Sequence, residues 1–189
     1  MPRFIVAIVS VMAILISSAC RLGAAEIEGV TFQDAHKIRG QRLVLNNVAL
    51  MRYKIVIKAM VSALYLGEGV EPEDVLKDVP KRLEIHYFWD LEGKEITKAA
   101  DKLLADNVSR AQLAKLQTEI KQMNSLFENV KAGDRYTMTY IPGLGTELSL
   151  NGKHKGVVPG TDFAAAYFTI WLGKKPMDVA MRDTLLEPH

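Results

Sequence analysis

Residues 50–69 read LMRYKIVIKAMVSALYLGEG, and how this stretch is laid out decides the fold. From Arg52 to Leu66 it is long enough to be one bent strand or two, with Tyr53, Ile55, Ile57, Ala59, Val61, Ala63 and Tyr65 alternating onto one face. The other face is mixed: Arg52, Lys54, Val56, Lys58, Met60, Ser62 and Leu64. One face packs a core, and the other meets helices, ligand or water. A single bulge would invert the alternation and move Met60 to the opposite face. Arg52 is the conspicuous residue, because a permanently charged guanidinium beside so apolar a run needs water, a partner or an incoming anion.

The elements on either side extend the pattern. Val30 to Ile38 and Arg42 to Val48 read as strands separated by Gly40, and Pro72 to Lys77 as a short helix. In KRLEIHYFWD, residues 81–90, Leu83, Ile85, Tyr87 and Trp89 share one face of a strand. Ile96, Ala99, Ala100, Leu103 and Leu104 recur at helical spacing, as do Leu113, Leu116, Ile120, Met123 and Phe127. Ser109 and Gln112 form a capping box for the second helix, which makes Asn107 the end of the first. Tyr136, Met138 and Tyr140 lie on one strand and Leu148 and Leu150 on the next, with Asn151-Gly152 as a hairpin turn. Thr161 or Asp162 caps a helix that runs to Leu172 and ends at Gly173, and Pro176 starts another. Strands, helices, strands and helices in that order predict an α+β domain with a largely antiparallel sheet.

The first 25 residues are set apart from this domain as a targeting segment. Arg3 supplies the positive region, Phe4 to Ile16 the apolar region, and Gly23-Ala24-Ala25 the small residues at a cleavage site. Cleavage after Ala25 leaves a domain of residues 26–189, exported to the periplasm or outside the cell, without a transmembrane anchor. A lipoprotein reading through Cys20 is the weaker one, since Ser17 occupies the position where a branched apolar residue is expected. The full chain has 24 basic and 22 acidic residues; losing Arg3 and Arg21 leaves 22 of each. A neutral domain without a basic run is a poor nucleic-acid binder. Its only cysteine departs with the targeting segment, so neither a disulfide nor a thiol nucleophile is expected.

Other chemistry has little support. His36, His86 and His154 are scattered without metal-ligand spacing, no Gly-x-Ser-x-Gly elbow occurs, and Gly143-Leu144-Gly145-Thr146 reads as a loop between strands. No cofactor or metal is expected. The composition leaves the oligomeric state open.

The order and spacing of MRYKIVIKAMVSALYL, KRLEIHYFWD, NG, PGTDF and IWLG resemble the chalcone-isomerase-like proteins of bacteria, from about Ile27 to Leu186. The resemblance implies an open-faced β-sandwich, a long antiparallel sheet covered by a layer of helices with a ligand cleft between them. Some members of that fold cyclise chalcones; others look like noncatalytic fatty-acid binders. In both, the arginine aligned with Arg52 meets the ligand's negative charge. A threonine of the isomerases aligns with Met60, a tyrosine with Ala100, an asparagine with Asn107, and a hydroxyl residue with Ile170, next to Thr169. Three polar catalytic positions are therefore apolar here, which weakens transition-state stabilisation and suits an alkyl chain. The expectation is a binder of a small apolar carboxylate, with Arg52, Met60, Ala100, Asn107 and Ile170 at its ligand site. The rival readings are an isomerase acting on a phenolic enone with Arg52 as electrostatic catalyst, and an envelope structural protein without ligand. A further reading of Arg52 itself is a structural ion pair with Glu84 or another strand carboxylate.

Overall fold

The computed structural model describes residues 24–54 and 56–188. Residues 1–23 of the expected targeting segment, with Cys20, and Ile55 lie outside the described residues, while its last two residues, Ala24 and Ala25, begin the first strand. The main sheet is a seven-stranded antiparallel meander in chain order, from β3 (Ala35–Ile38) through β4 (Gln41–Tyr53), β5 (Ile57–Gly67), β6 (Lys81–Tyr87), β7 (Arg135–Ile141) and β8 (Gly145–Leu150) to β9 (Lys153–Val158). A small hairpin of β1 (Ala24–Ile27) and β2 (Val30–Gln33) stands apart from it. Five α-helices complete the described residues: α1 (Gly93–Asn107), α2 (Arg110–Lys115), α3 (Gln117–Ser125), α4 (Thr161–Leu172) and α5 (Val179–Leu186). This is the α+β, open-faced architecture expected, with helices layered on a long antiparallel sheet. Among the described residues no helix is long and apolar enough to cross a membrane.

Residues 50–69 form most of a hairpin and not one continuous strand. β4 ends at Tyr53, the chain turns through Lys54 at φ 48°, and β5 returns, pairing Tyr53 with Ile57 and Met51 with Met60. Between those pairs Arg52 stands opposite Lys58, so Ala59 is the extra residue of a bulge. The bulge puts Lys58 and Met60 on opposite faces despite their even spacing. Beyond it the alternation holds and both faces of β5 are buried. Met60, Leu64 and Leu66 join the core under the helices. Val61, Ala63 and Tyr65 join a second core with Val30 and Phe32 of the β1–β2 hairpin.

Several local readings change. Val30 to Ile38 is split at Asp34: β2 pairs with β1, β3 pairs with β4, and the Asp34 carbonyl accepts from the Leu45 amide at 2.7 Å. The short helix is a 3-10 turn of only Pro72–Asp74. Trp89 falls beyond the end of β6 and is exposed. The Ser109–Gln112 capping box forms, but the helix it opens breaks at Leu116 into α2 and α3. Gly160, at φ 103°, is the N-cap of α4, while the Thr161 hydroxyl is taken by Tyr140 Oη at 3.1 Å. Asp178, whose carboxylate accepts from the Met181 amide, caps α5 in place of a start at Pro176.

Gly145 shows how tightly the late strands are joined. It sits at φ 100°, and a Cβ there would lie 2.5 Å from the Val158 carbonyl oxygen on β9. Gly145→Ala is expected to lose about 1–3 kcal/mol of stability, the cost of a strained backbone that surrounding structure must absorb. Urea denaturation of the two proteins measures it.

Candidate functional site

A cavity of about 210 Å³ lies between the sheet and the helical layer. Met60 of β5 and Tyr87 of β6 form its sheet wall. Ile96, Ala99 and Ala100 of α1 and Tyr167, Ile170 and Trp171 of α4 form its helical walls, both sets at the i, i+3, i+4 spacing that shares a helix face. Leu91, Phe127 and Met177 complete the apolar lining, and Glu95 and Ala99, both exposed, mark the side toward solvent. The two alanines leave the room that the aromatic side chains opposite do not fill.

Two polar atoms stand out in this lining. Tyr167 Oη and Trp171 Nε1 are buried and have no hydrogen-bond partner. Tyr167 is 0 % and Trp171 5 % exposed, with their ring centroids 6.1 Å apart. Burial raises the Tyr167 phenol well above the usual tyrosine range, reinforced by the negative charge of Asp101 and by Tyr87. It therefore stays protonated and able to donate. The Tyr87 phenol is raised in the same way, by burial and by Tyr136. Buried tyrosine and tryptophan ordinarily find a partner for O–H and N–H, and a buried donor left without one costs about 1–3 kcal/mol. The cavity is thus apolar, and two of its lining residues on one helix each carry a buried donor without a partner.

Of the residues expected at the ligand site, Met60, Ala100 and Ile170 come together on this cavity, and Arg52 and Asn107 do not. Arg52 is exposed at the end of β4, where its Nη2 lies 3.0 Å from Glu28 Oε1. Lys58 Nζ reaches the other oxygen of Glu28 at 2.5 Å. The Lys58 hydrogen bond holds the Glu28 carboxyl below its ordinary range against the opposing effect of desolvation, with the charges of Lys58 and Arg52 assisting. The parity of β4 explains the displacement: Met51 packs on the helix-side core, so Arg52 points to the other side, toward the β1–β2 turn. Its partner carboxylate is Glu28 and not Glu84. Asn107 closes α1 and ties it to the segment after α4: its amide donates to Leu103 O at 2.9 Å and Lys175 O at 2.7 Å, while Oδ1 accepts from the Lys175 amide at 2.9 Å.

Glu84 anchors a separate charge cluster on the opposite face of the sheet. It is 3 % exposed. Arg82 Nε donates to its Oε1 at 2.9 Å and Arg135 Nη1 to its Oε2 at 2.9 Å. His36 Nε2 is also 2.9 Å from Oε1, an ion-pair distance without the alignment of a hydrogen bond. Burial alone would raise the carboxyl, but His36 and Arg82 outweigh it and hold Glu84 down to about 2.

Sequence reasoning missed Tyr167 and Trp171. The signal was present: a tyrosine and a tryptophan four apart in TDFAAAYFTIWL, a helix otherwise so apolar that it had to be buried, leave two polar atoms needing partners inside the fold.

Residues 24–187 match the chalcone isomerase-like family. The chain belongs to that family. A crystal structure of a fatty-acid binding protein from Arabidopsis thaliana superposes on this chalcone isomerase-like protein with a TM-score of 0.67 and 14% identity, covering 87% of this chain and 96% of that one. At that identity the likeness is one of fold. No curated protein matches the sequence. The positions where the isomerases of the fold are expected to carry threonine, tyrosine and a late hydroxyl are Met60, Ala100 and Ile170, all apolar and all on the cavity wall.

Proposed function

We propose that this chalcone isomerase-like protein is a noncatalytic binder of a small apolar molecule with a polar head, and that a medium-chain fatty acid is the class of ligand it takes. The observation that carries the reading is the apolar cavity lined by Tyr167 and Trp171, whose Oη and Nε1 are buried without a partner. A carboxylate accepts from both donors at once, and the alkyl chain lies against Met60, Ile96, Ala100 and Ile170. Volume favours a shorter chain: a cavity of about 150 Å³ takes a benzene molecule, so 210 Å³ suits a ligand somewhat larger than that and not a long acyl chain. The fatty-acid-binding neighbour supports the class of ligand. Export after cleavage near Ala25 belongs to the same proposal and rests on Arg3, the apolar run and the small residues of the first 25 positions.

Titration with octanoate tests it, followed by calorimetry and by the fluorescence of Trp171. Saturable binding with stoichiometry one is expected. Tyr167→Phe should raise the Kd at least tenfold, because a hydrogen bond to a charged acceptor contributes about 1.5–3 kcal/mol. Absence of binding to octanoate, octanol and octanal alike would overturn the reading.

A further inference from the structure

Seven large apolar side chains are strongly exposed among the described residues, and four of them gather at one end of the molecule, which makes that end a surface in its own right. Tyr53, Val56 and Ile57 form the tip of the β4–β5 hairpin, with exposures of 55%, 75% and 38%. Trp89, 58% exposed, is seated against the base of the tip by a 2.7 Å hydrogen bond from its Nε1 to the Lys58 carbonyl. Basic side chains surround these four. Arg52 and Lys58 flank the tip and share one carboxylate, Glu28. Lys54 pairs with no carboxylate among the described residues and lies 5.3 Å over the Tyr53 ring. Asp90, next to Trp89, is engaged by the Ala132 amide at 2.8 Å. Three cations, Arg52, Lys54 and Lys58, against two carboxylates, Glu28 and Asp90, leave the tip with a net positive charge.

We infer that the β4–β5 tip is a docking surface for an anionic lipid bilayer. Tyrosine and tryptophan combine an apolar ring with a polar edge and are enriched where hydrocarbon meets headgroups. Val56 and Ile57 supply apolar area for insertion. Lys54, Arg52 and Lys58 complement anionic headgroups, each such charge raising binding about fivefold. A protein partner could use the apolar side chains, but the ring of excess cations around so small an apolar tip fits a membrane surface better.

The tip is continuous with the cavity wall. Three residues beyond Ile57 is Met60, and two beyond Trp89 is Leu91, both of which line the cavity. Docking would therefore bring the cavity close to the bilayer that holds apolar ligands; this last step alone rests on the ligand-binding reading above.

Co-sedimentation of the full protein with vesicles tests the inference. Binding to phosphatidylcholine vesicles containing phosphatidylglycerol is expected at low salt, with at least tenfold weaker binding to phosphatidylcholine alone. Lys54→Glu should weaken binding to the anionic vesicles at least tenfold, and Val56→Asp with Trp89→Ala should abolish it. All of these side chains are exposed, so circular dichroism should be unchanged, and octanoate binding in solution should persist. The docking inference is overturned if the wild type ignores anionic vesicles, or if the variants bind as well as it does. It is equally overturned if the wild type sediments as a dimer that Val56→Asp dissolves, since a second copy then covers the tip. Loss of octanoate binding with intact vesicle binding would instead remove the cavity reading and leave the docking surface standing.

Discussion

Glu84→Ala is expected to lower folding stability by about 3–5 kcal/mol, the cost of removing one partner from a buried ion cluster. The substitution leaves Arg82 and Arg135, whose side chains are only 18% and 28% exposed, and His36 of β3 around a buried gap. Urea melts near neutral pH decide it, and a loss under 1 kcal/mol would show that the arginines find water instead. The same residue sets an acid limit. Glu84 is held at about 2 against an ordinary 4.5, with the pull of His36 and Arg82 exceeding the push of burial. A folded-state pKa below the unfolded one stabilises above the unfolded value, and the gain is lost as pH falls through the folded value. Stability of the wild type should therefore decline between about pH 4.5 and 2. The decline should be shallower in Glu84→Ala.

Ala100→Trp is expected to weaken octanoate binding more than a hundredfold while leaving the protein folded. Ala100 is 5% exposed on the face of α1 that meets the cavity, so an indole there occupies the space proposed for the alkyl chain. Because the side chain enters a void, the overpacking cost should stay within the ~1–3 kcal/mol typical of enlarged core residues. Calorimetric titration gives the first quantity and urea melts the second. Undiminished binding in a folded Ala100→Trp protein would place the ligand outside this cavity.

Much of the fold was legible in the sequence because its signals are local. The period-two pattern of Leu83, Ile85 and Tyr87, the helical spacing of Ile96 to Leu104, the Ser109–Gln112 box and the Asn151-Gly152 turn all appear where expected. The turn between β4 and β5 was not legible. It is made by Lys54 in a left-handed conformation, without the glycine or asparagine that usually marks such a turn. Without it, Arg52 to Leu66 stayed open as one bent strand or two and Arg52 stood beside an apolar run, when the hairpin end exposes it beside Glu28. The resemblance brought Met60, Ala100 and Ile170 to the cavity because it aligned whole elements. It could not anticipate Tyr167 and Trp171, whose importance lies in partners they lack, a property of the packed structure and not of residue order.

The two-sided burial of β5 has a consequence for how such a protein can change. Met60, Leu64 and Leu66 face one core and Val61, Ala63 and Tyr65 the other, so the sheet is a partition between the cavity and the Glu84 cluster. Effects at sites that share no partners and lie more than about 7–10 Å apart usually add. Substitutions that refit the cavity to a different molecule then need no compensation among the charges behind the sheet, and those charges can be tuned for acid tolerance without disturbing ligand choice. The fold offers evolution two independent surfaces of variation on a single backbone.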